Sequence, residues 1–141
     1  MSQRVSQRIR DAVQALPITP GMRVLEIGCG PGVAAREVLR QHSSVTVFAI
    51  DRSKTAIRQA ELGSQMEIAS GRLILLCTSI EDLTLPLHER PFDLAFALRV
   101  GALDGRHPDV GRFALARIKQ VLIPGGRLFI DGGSPLKETV L

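Results

Sequence analysis

Three glycines at alternating positions, Gly28, Gly30 and Gly32, stand between an apolar segment and a segment with helical periodicity. Glycine lets the backbone turn sharply and approach a ligand without obstruction by Cβ, and the N-terminus of a following helix offers unpaired N–H groups. Asp51 ends the next apolar segment, where a carboxylate can accept hydrogen bonds from both hydroxyls of a ribose. These residue types in this order predict a nucleotide-type cofactor loop.

The spacing of the glycines bears on which cofactor the loop accepts. The pattern is GxGxG, with Val33 where a dinucleotide-binding loop would have its third glycine. Glu26, two residues before Gly28, would bring a carboxylate close to the pyrophosphate of a dinucleotide, and this like-charge arrangement is unfavourable. A ligand with a cationic amino-acid part suits this loop better than NAD.

Segments typical of strands alternate with segments typical of helices. Apolar and β-branched runs predict strands at 23–27, 45–50, 73–77, 92–98 and 127–130. Periodicity predicts helices over 5–16, ended by Pro17, and over 33–41, 53–62 with Ser53 as N-cap, and 110–122. Such alternation implies right-handed crossovers. We therefore predict an α/β fold, a doubly wound, mostly parallel Rossmann-like sheet of about five strands with helices on both faces.

Ligands of such sheets bind outside the carboxyl ends of the strands, at the point where the strand order reverses. The residues that follow the first four predicted strands should therefore line one crevice. The glycine loop follows the first of these strands and Asp51 ends the second.

The segment Val24–Gly32, with the sequence VLEIGCGPG, resembles the signature of the class I S-adenosylmethionine-dependent methyltransferases of the small-molecule type. The resemblance covers about residues 17–130 and includes AID at 49–51, SIEDL at 79–83, FDL at 92–94 and LIPGGRL at 122–128. It implies S-adenosylmethionine as cofactor, S-adenosylhomocysteine as product, and methyl transfer to a small molecule. The acceptor atom, whether O, N or C, is not defined by these segments.

The resemblance also implies which residues surround the amino-acid part and the ribose of the cofactor. Asp51 would bind the ribose, and the backbone of Ala97 and Leu98 would lie near the methionine ammonium. The methionine part would be surrounded by Glu26 and by the loop residues Gly28, Cys29, Gly30 and Gly32.

The adenine would be bound by residues that follow the second and third strands. The resemblance implies that Arg52 flanks the adenine, that Ser79 meets its amino group and that Ile80 meets its ring. The family often has an acidic residue where this chain has Ser79, which departs from the usual contact with the adenine amino group.

Methyl transfer from a sulfonium needs mainly orientation and exclusion of water, so a dedicated base is optional. If a base is used, the candidates are Asp104 and His107, in the loop after the fourth strand. His42 and His88 lack a second ligand at metal spacing, and no metal site is expected. Asp93, which opens the fourth strand, is interpreted as a structural carboxylate.

The composition limits the class of protein and its partners. A length of 141 residues predicts one domain over 1–141. The net charge is +4, but the chain has no Trp or Tyr and only five Phe to stack on bases, so nucleic acid is not expected as a partner. No apolar run approaches the roughly 20 residues of a membrane span, and we expect a cytoplasmic protein.

Few residues follow the fifth predicted strand. The chain ends about ten residues after Ile130, so we expect the sheet to lack the antiparallel C-terminal hairpin that is usual in the family. An unpaired fifth strand is a pairing liability, which predicts a homodimer or another cover for that edge. The alternative to an enzyme is a non-catalytic S-adenosylmethionine-binding module or partner subunit with an incomplete substrate site.

Overall fold

The computed structural model describes residues 5–85, 89–98 and 108–141, with side chains for all of these except 108–110. Within these ranges the helices are α1 (Gln7–Ala15), α2 (Val33–Gln41), α3 (Lys54–Gly63), α4 (Gln65–Ala69) and α5 (Pro108–Val121). The strands are β1 (Arg23–Ile27), β2 (Thr46–Asp51), β3 (Leu73–Cys77), β4 (Phe92–Ala97), β5 (Leu122–Asp131) and β6 (Leu136–Thr139).

The strands form one sheet in the order β3-β2-β1-β4-β5-β6. Strands β1 to β5 pair in parallel, and β6 runs antiparallel to β5. The chain adds β2 and β3 on one side of β1 and β4 and β5 on the other, so the strand order reverses between β1 and β4. This confirms the predicted doubly wound, mostly parallel sheet and places the crevice at the ends of these two strands.

Helices cover both faces of the sheet, as predicted. Successive residues of a strand point to opposite faces, so Val24 and Leu25 of β1 belong to two different core clusters. The first cluster includes Val13 of α1 and Ala35 of α2. The second includes Ile118 of α5. Both clusters consist mainly of buried aliphatic residues, as expected for a parallel sheet that is covered on both faces.

The starts of two helices differ in a way that affects the site. Ser53 caps α3, and its hydroxyl accepts a hydrogen bond from the Ala56 amide at 3.1 Å, as the sequence predicted. Gly32 caps α2 in the left-handed region at φ 88° and has no side chain to accept from the helix. The amides of the first turn of α2 are therefore open to other partners.

The expected lack of an antiparallel hairpin was wrong, because β6 pairs with β5 from Leu128↔Thr139 to Asp131↔Leu136. The turn between them is rich in glycine, with Gly132 at φ 111°. A Cβ on Gly133 would lie 2.1 Å from the Leu136 carbonyl oxygen, so the chain can reverse this tightly only with glycine there. The sheet therefore has six strands, and β6 covers the edge of β5.

Two further boundaries differ from the prediction. The helix α4 was not predicted, and it is a short segment of five residues without a buried position, so its sequence carries little periodicity. Pro124, Gly125 and Gly126 were expected to separate a helix from a strand, but they lie inside β5. The pairing of β4 with β5 shifts register between Phe92 and Leu94, which accommodates these residues as an irregularity.

Candidate cofactor-binding site

The glycine loop after β1 is fastened to the end of β2. Ile27, the last residue of β1, pairs with Ile50 on one side and with Ala97 on the other. The amides of Gly28 and Cys29 both donate to the Ile50 carbonyl oxygen, at 2.8 and 3.0 Å. The carboxyl ends of β1, β2 and β4 thus meet at the loop, as the predicted switch point requires.

The loop backbone has a conformation that favours glycine. Gly28, Gly30 and Gly32 have φ values of 72°, 54° and 88°, where a residue with a Cβ is strained. A Cβ on Gly30 would have no neighbour within 4 Å, so the space beside this residue is open to a ligand. A Cβ on Gly32 would lie 2.9 Å from Nη1 of Arg36, so that glycine serves packing.

The two carboxylate oxygens of Asp51 hold two backbone segments at the crevice. Oδ2 accepts from the Gly30 amide at 2.9 Å, and Oδ1 accepts from the Ser53 amide at 2.8 Å. An ionised carboxylate has about four lone-pair sites, so each oxygen keeps one site for a further donor. Asp51 can therefore order the loop and accept two ribose hydroxyls at the same time.

Glu26 lies in β1 beneath the N-terminus of α2. It is 2% exposed, and its Oε1 has no hydrogen-bond partner among the described residues. Loss of hydration and the negative charge of Asp51 raise the pKa of Glu26 to about 8, although the Ala35 amide and the charge of Arg36 act in the opposite direction. The carboxyl group is therefore mainly protonated at pH 7, and it can respond to a cation placed near it.

Cys29 stands between two of the glycines and belongs to the first core cluster. Burial, followed by the carboxylates of Glu26 and Asp51, raises the pKa of its thiol to about 12. Reactivity of cysteine requires the thiolate, so this thiol packs and does not act as a nucleophile. A contact of Cys29 with the cofactor stays a prediction, and it would be made by the backbone of this residue.

The segment after β3 differs from the contacts that the family pattern implied. The Ser79 hydroxyl donates to Oδ2 of Asp82 at 3.1 Å and accepts from the Asp82 amide at 3.2 Å. Ile80 is 4% exposed and packs in the second core cluster. The Ile80 side chain is thus used in core packing, and a contact of this residue with the adenine ring stays a prediction.

The remaining predicted cofactor residues lie around the same edge of the sheet. Ala97 is 1% exposed, so its backbone is the part that can face the crevice, and Leu98 packs partly against the first core cluster. Arg52 is exposed. Asp104 and His107, the candidates for a base, and His88 lie outside the described residues.

The structure also bears on Asp93, on metal binding and on membrane-spanning helices. Asp93 accepts a hydrogen bond from the Arg23 amide at 2.8 Å, which confirms its structural interpretation. Among the residues with described positions, no group of three or more His, Cys, Asp and Glu could hold a metal ion. No helix in the described part of the chain is long and apolar enough to cross a membrane.

The sequence reasoning missed Arg36, which the structure brings to the loop. Its Nη1 donates to the Pro31 carbonyl oxygen at 2.9 Å and to Oγ of Ser64 at 2.8 Å. The partners lie 5 and 28 positions away along the chain, so periodicity alone could not reveal them. The available signal was a cation in the first turns of a helix, where cations are disfavoured.

This sheet order, with a glycine loop after β1 and an acid at the end of β2, defines a doubly wound, Rossmann-like α/β domain with a cofactor loop at its switch point. Residues 24–126 match the family described as "Methyltransferase domain". The chain belongs to this family.

Two relatives show the similarity in sequence. An O-methyltransferase of Aspergillus nomiae is 31% identical over 136 residues, covering 93% of this chain and 57% of that protein. Protein-L-isoaspartate O-methyltransferase of Methylorubrum extorquens is 35% identical over 134 residues, covering 92% of this chain and 50% of that protein. The chain thus spans about half the length of these relatives.

Solved structures share the fold. A methyltransferase of Thiobacillus denitrificans in complex with S-adenosyl-L-homocysteine has a TM-score of 0.70 at 20% identity, covering 89% of this chain and 48% of that one. The [4+2]-cyclase SpnF has a TM-score of 0.71 at 29% identity, covering 87% and 43%. The second example, named for another reaction, illustrates that this fold alone does not determine the chemistry.

Proposed function

We propose that this chain binds S-adenosylmethionine and transfers its methyl group to a small molecule. The observation that carries the proposal is the arrangement of one open glycine loop between two acids, the buried Glu26 and the loop-bound Asp51. Membership of the methyltransferase domain family supports the same conclusion, as do relatives named as O-methyltransferases.

The residues of the site fit a ligand with a ribose and a cationic amino-acid part. The free lone pairs of Asp51 suit the ribose hydroxyls. The Oε1 atom of Glu26 lacks a partner in the described structure, and a buried polar atom without a partner is costly unless a ligand or water satisfies it. A cationic ligand part beside the loop favours the ionised form of this carboxyl group.

The remaining contacts of the cofactor are proposed from the same edge of the sheet. The open backbone at Gly30 and the carbonyl groups near Ala97 and Leu98 would surround the methionine part. Arg52 and Ser79 would lie beside the adenine. The Ser79 hydroxyl is part of a closed pair with Asp82, so it would have to exchange this bond for one to the adenine amino group.

When bound, the cofactor supplies a methyl group on a sulfonium, an electrophile that requires no activation by the protein. The residues described above then act by orienting the cofactor and excluding water from it. Relatives of this chain are named as O-methyltransferases, so a hydroxyl or carboxylate oxygen is the first acceptor to test. Asp104 or His107 would remove a proton if the acceptor needs a base.

A turnover assay tests this proposal. The intact chain is incubated with S-[methyl-³H]adenosylmethionine and a panel of phenols, alcohols, carboxylic acids and amines, and the transferred label is counted. We expect label on at least one oxygen acceptor, and roughly 100-fold less label with the Asp51→Ala variant when the cofactor is below saturation. Binding of the cofactor without transfer to any acceptor would favour the non-catalytic module. Chemical change of a tested compound without incorporation of the labelled methyl group would indicate a reaction other than methyl transfer, as the name of the cyclase suggests for that protein.

Four predictions from the sequence stand beside this proposal. We propose that residues 1–141 form one domain, with one sheet between the two core clusters as support. The homodimer was predicted because the edge of β5 was expected to be unpaired. Since β6 covers that edge, the argument for a dimer no longer applies, and the dimer stays a prediction. The cytoplasmic location and the lack of nucleic-acid partners also stay predictions.

A further inference from the structure

Arg36 connects the glycine loop with the junction between α3 and α4. Its half-buried guanidinium donates from Nη1 to the Pro31 carbonyl oxygen at 2.9 Å and to Oγ of Ser64 at 2.8 Å. Ser64 is 0% exposed, and the hydroxyl is thus a fixed acceptor deep in the fold. One side chain therefore connects the loop to a buried hydroxyl on a different element of the fold.

The space around the guanidinium is shaped by two glycines. A Cβ on Gly32 would lie 2.9 Å from Nη1 of Arg36, and a Cβ on Gly63 would lie 3.1 Å from the same atom. The guanidinium thus lies in the space that two absent side chains leave open. A side chain at either position, one in the loop and one at the end of α3, would require the guanidinium to shift.

The position of Arg36 runs against the local preference of a helix. It is the fourth residue of α2, and the positive end of the helix dipole disfavours a cation in this region. A residue that breaks a local rule is often placed there for a function. Its charge also acts on Glu26, whose pKa it lowers against the larger effect of burial.

We propose that Arg36 is a positioning residue that fixes the Gly28–Gly32 backbone for the cofactor by fastening Pro31 to Ser64. The inference rests on the proposed function for its cofactor, but the fastening itself is a property of the chain without ligand. The guanidinium does not touch the reacting groups. It acts by holding the carbonyl of Pro31, and with it the amides of Gly30 and Gly32 on either side.

Hydrogen exchange of the ligand-free chain tests the fastening. The amides of Gly28, Cys29, Gly30 and Gly32 all donate hydrogen bonds in the loop, so their exchange reports its opening. Arg36→Met should speed this exchange about tenfold, and Ser64→Ala about threefold, while amides of β4 keep their rates. The control Arg58→Met removes an exposed cation of α3 and should leave the loop amides within about twofold of the parent chain.

Calorimetry with S-adenosylhomocysteine then tests the consequence for binding. At temperatures well below unfolding, Arg36→Met should weaken the affinity for S-adenosylhomocysteine about tenfold, and Ser64→Ala should weaken it less. The affinity of the control Arg58→Met should equal that of the parent chain. Loop exchange at the parent rate in both Arg36→Met and Ser64→Ala would overturn the inference. Faster exchange at every amide alike would also overturn it, because that is global destabilisation. Failure of the parent chain to bind the ligand would instead refute the proposed function, and the exchange result would still decide the role of Arg36.

Discussion

Replacing Glu26 by glutamine is expected to stabilise the ligand-free chain at pH 8 by up to about 5 kcal/mol, and to raise its melting temperature on the order of 10 °C. The reason is that the folded chain holds this carboxyl group with a pKa raised from 4.5 to about 8. Between these values the unfolded chain ionises Glu26 and the folded chain does not. The folded state thus binds more protons, and its stability falls as pH rises.

The pH dependence distinguishes this effect from ordinary repacking. Below about pH 4.5 both states are protonated, so the variant and the parent should unfold at similar temperatures. The difference in melting temperature between the variant and the parent chain should grow as pH rises and reach its full size near pH 8. Thermal unfolding followed by circular dichroism at pH 5 and pH 8 measures it, with Glu61→Gln as the matched control, because Glu61 is exposed on α3. An equal effect of Glu26→Gln at both pH values would contradict the assignment.

The same substitution should weaken binding of S-adenosylmethionine, at least about tenfold at pH 7.5. Glutamine cannot ionise, so it cannot provide a negative charge beside the cationic ligand. In the parent chain, binding at pH 7 should release close to one proton, because the ligand favours the ionised form. Calorimetry in buffers of different ionisation enthalpy counts this proton. Equal proton release by Glu26→Gln would show that another group titrates.

Replacing Asp51 by alanine is expected to weaken binding of S-adenosylmethionine roughly 100-fold, as loss of two hydrogen bonds to a charged acceptor would. The substitution also removes the acceptor of the Gly30 and Ser53 amides. We expect a loss of unfolding free energy of about 1–3 kcal/mol from these unpaired groups. Calorimetry and thermal unfolding measure the two effects, with Asp11→Asn, an exposed acid of α1, as control.

A ligand lacking one hydroxyl separates the ribose contact from the loop contact. The parent chain should bind 2′-deoxy-S-adenosylhomocysteine about tenfold more weakly than S-adenosylhomocysteine. If Asp51 accepts from that hydroxyl, Asp51→Ala should bind the two ligands almost equally, which is the coupling that a double-mutant cycle detects. The same tenfold preference in the variant would mean that Asp51 acts only through the loop.

The parts of the fold that could be predicted from the sequence are those that local residues determine. Helix α2 runs over the predicted residues 33–41, since its apolar periodicity begins directly after the glycine loop. The capping of α3 by Ser53 needs only a hydroxyl three residues before its donor amide. The glycine loop and Asp51 could be placed in one crevice because the order of parallel strands fixes where their carboxyl ends meet.

The features that the sequence did not reveal depend on contacts between distant segments or on unusual backbone. The hairpin to β6 was missed although Asp131–Gly132–Gly133 has the composition of a turn. The packing of the Ile80 side chain in the second core cluster was also not evident from the sequence. Arg36 was missed because its partner Ser64 is brought to it only by the packing of α3 against the sheet.

We propose that the buried Glu26 makes the site selective for a cationic ligand, because the fold alone does not determine which ligand is bound. The fold occurs in proteins named for methyl transfer and in a protein named as a cyclase. In this chain the Glu26 carboxyl group is 2% exposed, and its Oε1 has no hydrogen-bond partner among the described residues. Such a group lowers stability in the ligand-free state, a trade that proteins often make at functional sites.

Calorimetric titration of the intact chain with S-adenosylmethionine at pH 7.5 tests the central claim most directly. The account predicts one site per chain with a dissociation constant in the range of about 1–100 μM, competition by S-adenosylhomocysteine, and no competition by NAD. No heat of binding and no thermal stabilisation at millimolar S-adenosylmethionine, or displacement of the ligand by NAD, would contradict it.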